Sequence, residues 1–374
     1  MKTGKVSKAM SGNTFKDPPL AVRIAVKSLC ILIAVFLIII LCSLGAAIYL
    51  NAPPDMDVSF SLTLDDAMDI DINGNLIMEI RSGESALSVG RRLENAGLIR
   101  SINFWYLLFR LDNEQVKTGT YSIALPASLM EIRSALISGE QLQVRVTIPE
   151  GFTLSQIARV LENEGICSTG DFLLAASSRE ILEYYSIPGP SMEGYLFPDT
   201  YLFPLSYPAN LVIESMANNF FRRLGYIAPA AASLSPGELN DLVILASIVE
   251  REYRAPNEAA LMAGVFNNRL RIGMALQSCA TVVYVMTEIL GLPHPERLLY
   301  RDLEHVSPFN TYIYPGLPPS PISAPGETAL RGVFQPAEVN YFYFRLLDPA
   351  SGRHYFSRTL DEHIQAGDLI VKGW

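Results

Sequence analysis

The sequence contains few of the residues that build metal sites and disulfide frameworks. Its 374 residues include four cysteines and four histidines. Cys30 and Cys42 lie in one apolar stretch, and Cys167 and Cys279 are far apart, which is not the pattern of a disulfide framework; a single Cys167–Cys279 bridge is the alternative in an oxidising compartment. The histidines show no HExxH motif or other ligand spacing. We therefore predict no metal and no other cofactor.

The chain also lacks an excess of basic residues. It has 29 lysines and arginines against 38 aspartates and glutamates, which gives a net charge of −9. Six of the basic residues lie within residues 1–27, where Asp17 is the only acidic residue, so the remainder is more acidic still. Because an acidic surface repels phosphates, we predict no nucleic-acid partner.

Long apolar runs are absent except near the start, where the uncharged sequence "SLCILIAVFLIIILCSLGAAIYL" occupies residues 28–50. As a helix this run would be roughly 34 Å long, enough to cross a bilayer. Because basic flanks stay in the cytoplasm, we predict a cytoplasmic tail at residues 1–27 and an external remainder. A cleaved signal peptide is the alternative, but the run is too long for its apolar region and leads directly into an acidic stretch.

A repeat follows an acidic tether at residues 51–75. "GESALSVGRRLENAGLI" (83–99) aligns without gaps with "GFTLSQIARVLENEGIC" (151–167). In each copy a hydroxyl residue follows a strand and begins an amphipathic helix, which a glycine ends. The copies predict two related α+β modules at residues 76–145 and 146–229. Such units resemble the LysM module, which binds N-acetylated glycans; a plain scaffold explains the same pattern.

The last part of the chain, residues 230–374, is predicted to be a third, mixed α+β domain, so the fold class is α+β. "SPGE" at residues 235–238 predicts a helix start, with Ser235 as the N-cap and Glu238 closing a capping box. This helix contains the sequence "LASIVERE". Further helices are predicted at residues 257–273 and 326–334, followed by two strands.

Glu250 lies at the edge of the apolar stripe of the "LASIVERE" helix. A carboxylic acid there is either the solvated end of the helix or a partly desolvated general acid with a raised pKa. Glu252 comes about 200° further round the helix and is therefore predicted to face away from any groove that Glu250 enters. The helical pattern by itself leaves both interpretations of Glu250 open.

Four blocks of the sequence together resemble one known family. They are "EGYLFPDTYLF", "LASIVERE", "AGVFNNRLRIGMALQS" and "SPFNTYIYPGLPPSPIS". These blocks are similar to the signature blocks of the YceG family, the MltG-type endolytic murein transglycosylases of bacterial inner membranes. They occur in the family's order, over roughly residues 75–365.

The resemblance implies a catalytic role for Glu250. In the family, the glutamate of the matching block is the acid that protonates the bond between N-acetylmuramic acid and N-acetylglucosamine. The substrate's own C6 hydroxyl then attacks C1 and leaves a 1,6-anhydro end, so neither water nor a second carboxylate is needed. The implied protein is a single-pass inner-membrane enzyme whose catalytic domain lies outside the cytoplasm. Its partners would be the membrane, peptidoglycan glycan strands and neighbouring peptidoglycan synthases.

The resemblance also suggests residues that line a substrate groove. The predicted substrate-binding residues are Gln277, Ser278, Thr281, Asn310, Thr311 and Tyr312. Structural roles in turns or the core are the alternative for each. The chain departs from the family at Cys279-Ala280, where Asp-Pro is usual, so an acid that would support Glu250 or the substrate is missing. Glu193 and Asp199 are further carboxylates, and we expect Asp199 to be chiefly a structural hydrogen-bonding residue.

Three other functions are left open by the residues alone. A catalytically impaired peptidoglycan-binding or scaffold protein would explain Cys279. A muramidase that uses water would need a second carboxylate facing Glu250. A serine or cysteine peptidase is disfavoured, because neither Ser247 nor Cys279 has a histidine in a recognisable motif.

Overall fold

The structure is a computed structural model that describes residues 20–54 and 64–372. It divides into two compact units, one ending at Glu140 and the other beginning at Gln141. Helices and short antiparallel sheets occur in both, which confirms the predicted α+β class. Most of the predicted basic tail, residues 1–19, and residues 55–63 of the tether lie outside the described residues. The predicted domain boundaries stay predictions.

The apolar run forms helix α1 (Leu20–Asn51), which confirms the predicted helix at residues 28–50. Within it, Val22–Asn51 has a mean hydropathy of 3.1 and is long and apolar enough to cross a membrane. Of the residues that the structure describes, these form the one such helix. Its side chains are largely exposed to solvent.

The remainder of the first unit is a three-stranded antiparallel sheet with three helices. The strands lie in the order β1–β2–β3. In chain order the elements are β1 (Met68–Ile70), β2 (Asn75–Ile80), α2 (Ala86–Asn95), α3 (Ile102–Asp112), β3 (Gly119–Ala124) and α4 (Leu129–Ser138). Alternate residues of β2 are buried, so one face of the sheet carries the core. Trp105 from α3 and Tyr121 from β3 are fully buried in this core.

The second unit begins with a two-stranded sheet and a group of helices. Its elements up to residue 227 are β4 (Gln143–Thr147), α5 (Leu154–Asn163), α6 (Thr169–Ala176), α7 (Arg179–Tyr184), β5 (Thr200–Pro204) and α8 (Ala209–Ile227). Strands β4 and β5 pair antiparallel, from Gln143 opposite Pro204 to Thr147 opposite Thr200. Each repeat copy therefore contains the predicted strand and helix: β2 and α2 in the first unit, and β4 and α5 in the second.

The rest of the second unit adds five helices and a β-hairpin. Its main elements are α9 (Pro236–Glu252), α10 (Ala259–Arg271), α11 (Cys279–Tyr284), α12 (Glu327–Phe334), β6 (Tyr343–Asp348), β7 (Arg353–Ser357) and α13 (Leu360–Lys372). One buried apolar cluster runs from Val146 in β4 to Val333 in α12, with α9 contributing a continuous buried stretch. The elements on both sides of residue 230 therefore share one core.

Candidate active site

Helix α9 carries Glu250 at the end of its buried segment. Ser235 accepts a hydrogen bond from the Glu238 N–H and the Glu238 side chain accepts from the Ser235 N–H, which confirms the predicted capping box. Seven consecutive residues, 243–249, are then buried. The helix ends at Glu252, a few residues before Pro256. Glu250 consequently stands where the helix leaves the core.

Ser247, the one polar residue in the buried stretch, connects α9 to the segment before α12. Its hydroxyl donates to the Ile244 carbonyl at 2.7 Å and accepts from the Ile322 N–H at 3.0 Å. The Ser323 hydroxyl donates to the Ser247 carbonyl at 3.1 Å. The serine is fully buried with these bonds made, so it positions the backbone that leads to Gly326.

The turn between β4 and α5 holds the same segment from the other side. Gly151 has a left-handed φ of +76°, and its N–H donates to the Ala324 carbonyl at 2.8 Å. The Ala324 N–H returns a bond to the Phe152 carbonyl at 2.8 Å. This pair of backbone bonds fixes the turn of residues 149–152 beside the start of α12.

The carboxylate of Glu250 is held by two donors. Its Oε2 accepts from the Gly326 N–H at 2.9 Å, and Gly326 is the N-cap of α12. Its Oε1 accepts from the Tyr253 hydroxyl at 3.2 Å. Burial raises the pKa of Tyr253, so the phenol remains a hydrogen-bond donor at neutral pH. The acid is therefore fixed in orientation by one backbone group and one side chain.

Burial raises the pKa of Glu250 to about 7. Desolvation is the largest cause, and the negative charge of Glu150 acts in the same direction. The hydrogen bonds from Gly326 and Tyr253 favour the carboxylate but do not offset the loss of water. A glutamate with this pKa is partly protonated at neutral pH and can act first as an acid and then as a base.

Glu150 is the functional candidate that the sequence analysis missed. It lies in the turn before α5, within the strand-and-turn segment that was noted only as the start of a repeat. Aligning the two copies without gaps distinguishes Glu150, because the matching residue in the first copy is Ser82. A carboxylate in only one of two otherwise similar turns indicates a role beyond the turn itself.

Glu252 has contacts different from those of Glu250, and its orientation away from a substrate groove stays a prediction. It accepts a hydrogen bond from the Ser278 hydroxyl, whereas Glu250 contacts Gly326 and Tyr253. Glu252 is not a solvated helix end, because burial raises the pKa of its carboxyl group. Ser278 and the Ala280 N–H oppose that rise by hydrogen bonding.

The structure brings the predicted substrate-binding residues together at two adjoining loops. They are Gln277, Ser278, Thr281, Asn310, Thr311 and Tyr312. The Ser278 N–H donates to the Thr311 hydroxyl at 3.0 Å, and the hydroxyls of Thr281 and Thr311 lie 2.9 Å apart. All three residues are buried. The Ser278 N–H and the hydroxyls of Thr281 and Thr311 therefore join the two segments.

The other predicted groove residues divide into one buried and two accessible side chains. The Asn310 amide is buried and donates to the carbonyls of Leu303 and His305, both at 2.9 Å. Gln277 is exposed and has a left-handed φ of +51°. Tyr312 is half-buried. The assignment of all six residues to substrate stays a prediction.

Cys279 lies next to Tyr312 at the start of α11. Its Sγ is 3.1 Å from the Tyr312 hydroxyl oxygen, and burial raises the pKa of the thiol. The position where the resemblance predicts an acid is thus occupied by a group that stays neutral at physiological pH. Glu252 is the nearby carboxylate, and it is bonded to Ser278.

Two further carboxylates of the "EGYLFPDTYLF" block have structural contacts. Glu193 is 4% exposed and accepts the Leu154 N–H at the start of α5. Burial raises its pKa to about 8. Asp199 accepts hydrogen bonds from Asn219 and Arg223, as expected of a structural hydrogen-bonding residue. Strand β5 begins only at Thr200, so Tyr195 and Phe197 of the same block belong to a loop.

Comparisons with known proteins point to one family. The sequence model of the YceG-like family matches residues 78–368. An endolytic murein transglycosylase of Bacillus subtilis (strain 168) is 27% identical over 312 residues, which cover 79% of this chain and 84% of that protein. One from Streptococcus pneumoniae serotype 2 (strain D39 / NCTC 7466) is 27% identical over 339 residues, and the match covers 81% of this chain but 60% of that protein.

A solved structure shows a similar fold. The crystal structure of a YceG-like protein from Listeria monocytogenes matches with a TM-score of 0.53 and 29% sequence identity. The match covers 78% of this chain and 98% of that one.

Proposed function

The chain belongs to the YceG-like family, and we propose that it is an endolytic lytic transglycosylase that cleaves the glycan strands of peptidoglycan. The relatives named endolytic murein transglycosylase support this activity. The observation that carries the proposal is Glu250: a glutamate fixed by Gly326 and Tyr253, with burial raising its pKa to about 7.

Glu250 acts twice in the proposed reaction. It first donates its proton to the glycosidic oxygen between N-acetylmuramic acid and N-acetylglucosamine as the C1–O bond breaks. The C6 hydroxyl oxygen of the muramyl residue then bonds to C1, and its proton passes to the Glu250 carboxylate. The products are a free N-acetylglucosamine end and a 1,6-anhydro end, and Glu250 is again protonated. A raised pKa suits both steps, because acid and base forms coexist near neutral pH.

We further propose that α1 anchors the enzyme in the bacterial inner membrane. Its length and apolar composition support a single span, with the basic residues 1–27 in the cytoplasm and the catalytic unit outside. This placement would bring the site to nascent strands, near the peptidoglycan synthases, where cleavage ends their elongation. A reporter fused after Trp374 should be active only outside the cytoplasm; activity inside would contradict the orientation.

The decisive experiment replaces Glu250 with glutamine. Glu250→Gln keeps the volume and the hydrogen-bond acceptor for Gly326 but has no proton to give. We expect the release of 1,6-anhydro muropeptides from purified sacculi to fall at least about 10²–10⁴-fold. Chromatography and mass spectrometry of the digested sacculi measure these ends.

Glu252→Gln is the matched control on the same helix. The glutamine oxygen can still accept from Ser278, so this variant should keep most of its activity. Equal loss in the two variants, at equal thermal stability, would contradict the assignment of Glu250 as the acid.

Glu150 favours a second candidate function, a muramidase that uses water. Such an enzyme needs a second carboxylate near the acid, and the negative charge of Glu150 acts on Glu250. The two functions differ in their products, because hydrolysis leaves reducing ends and transglycosylation leaves 1,6-anhydro ends. Cys279 alone favours a binding protein without activity, which would release neither.

A further inference from the structure

The turn that carries Glu150 places its carboxylate against Gly326, the residue that donates to Glu250. A Cβ atom added to Gly326 would lie 1.9 Å from Glu150 Oε1 and 2.2 Å from its Cδ. Glycine therefore leaves the space that the Glu150 carboxylate occupies. On the other side of the same residue, the Gly326 N–H donates to Glu250 Oε2. Both carboxylates therefore lie next to Gly326.

These contacts limit the distance between the two acids. Following ordinary bond lengths through Gly326, the facing carboxylate oxygens are at most roughly 8 Å apart. Gly151 adds an independent contact, because a Cβ at this position would lie 3.7 Å from Glu250 Cγ. The residue next to Glu150 thus packs directly on the side chain of the acid.

The two acids differ in their surroundings. Glu250 is largely buried, whereas Glu150 is exposed. Within residues 20–54 and 64–372, Glu150 forms no ion pair, so no cation neutralises its charge. Water screens an exposed charge, but a low-dielectric path through the protein keeps part of its effect on a buried neighbour.

Few other charged or titratable groups act on Glu250. Directly after its own helix the titratable group is Tyr253, which donates a hydrogen bond, and from α12 the contact is the uncharged Gly326 N–H. Arg251 lies beside Gly151, but its charge interacts with Glu193, Glu252 and Glu288. Glu150 is therefore the charged group that acts on Glu250, in addition to the larger effect of burial.

We propose that Glu150 is a positioning residue of the active site, whose charge keeps the proton on Glu250 until the glycosidic oxygen takes it. This role rests on the proposed function. The same charge strengthens the Glu250 carboxylate as the base that receives the proton of the attacking hydroxyl. Glu150 itself exchanges no proton with substrate or water, so the products remain 1,6-anhydro ends.

Glu150→Gln tests the role by removing the charge while keeping the size. Without the neighbouring charge, Glu250 loses its proton at lower pH, so the alkaline limb of the pH–rate profile should move to lower pH. We expect anhydro-end release to fall about three- to tenfold at pH 7.5, since one pH unit is a factor of ten. At pH 5 it should stay within about twofold of the wild type. Glu150→Asp, which keeps the charge, should restore much of the profile.

A matched control and a second readout separate this role from general damage. Glu164→Gln removes an exposed carboxylate at the other end of α5 and should leave the profile unchanged. Carbon-13 NMR of labelled glutamate side chains follows the Glu250 carboxyl group directly, identified by its loss in Glu250→Gln. Its titration should move to lower pH in Glu150→Gln, whether or not the protein cleaves glycan.

Two results would overturn the proposal. One is a Glu250 titration and a pH profile that do not move in Glu150→Gln. The other is loss of activity at every pH, together with reducing ends as the wild-type product, which would make Glu150 the base of a hydrolase. If the wild-type chain releases no ends at all, the proposed function fails, and the NMR titration still decides whether Glu150 controls Glu250.

Discussion

The two copies of the strand–turn–helix repeat have the same local structure and different surroundings. Gly83 and Gly151 both adopt left-handed φ angles, +79° and +76°, and Ser85 and Thr153 both cap the following helix. A Cβ at Gly83 would meet no atom within 4 Å, whereas one at Gly151 would touch Glu250. The first turn is open, and the second is part of the candidate active site.

This difference shows that a repeated element can supply a scaffold twice and a functional group once. The caps and glycines specify the turn in each copy, because they act within a few residues. The contacts of the second turn come from residues about 100 to 175 positions later, Glu250, Ala324 and Gly326. Equivalent substitutions in the two copies therefore separate effects on the stability of the turn from effects on glycan cleavage.

The largest effect is expected in the cores of the repeat helices. Leu93 in α2 and Leu161 in α5 occupy matching positions and are both fully buried. Leu93→Ala and Leu161→Ala should each lower the free energy of unfolding of their own unit by about 2–5 kcal/mol. Urea denaturation with hydrogen exchange measures the loss in each unit. We expect only Leu161→Ala to lower glycan cleavage; an equal loss of cleavage in Leu93→Ala would contradict the division of roles.

A smaller effect is expected from the cost of burying the acid. The pKa of Glu250 rises from its ordinary 4.5 to about 7 on folding, so its contribution favours the folded state below pH 4.5 and is lost as the pH rises to 7. Glu250→Gln has no carboxyl group to titrate and so avoids this loss. Its free energy of unfolding should rise relative to that of the wild type by roughly 1–3 kcal/mol between pH 4.5 and pH 8. Denaturation of both proteins at the two pH values measures the gain. A difference that does not change with pH would show that Glu250 is not desolvated.

The smallest effect on stability comes from the turn glycines. Gly83→Ala and Gly151→Ala each place an alanine in the left-handed region, which costs about 1–2 kcal/mol. At Gly151 the new methyl group would make an ordinary contact with Glu250, so the two stability losses should be similar. Only Gly151→Ala should move the pH–rate profile, because only that turn positions a carboxylate at the site. Matching profiles for the two variants would remove the distinction between the turns.

The sequence alone determined the elements whose signals lie close together in the chain. The apolar run predicted α1, and the hydroxyl–glycine spacing predicted α2 and α5. The capping box predicted the start of α9. The 200° step between Glu250 and Glu252 separates the two side chains around the helix, and they contact different groups. These signals depend on interactions within one or two helical turns, so they can be recognised without the rest of the chain.

Only the tertiary structure decided which polar groups are buried and what they contact. Glu252, Ser278, Thr281 and Thr311 are polar and surface-like in sequence, yet all are enclosed between elements distant in the chain. In the sequence Glu150 resembles an ordinary turn residue, but in the fold it lies against Gly326, whose N–H donates to Glu250. Desolvation and charge coupling depend on distance in space and not on separation along the chain. The sequence therefore predicted an acid at Glu250 through its family resemblance, and the fold determined the pKa and the neighbours of this residue.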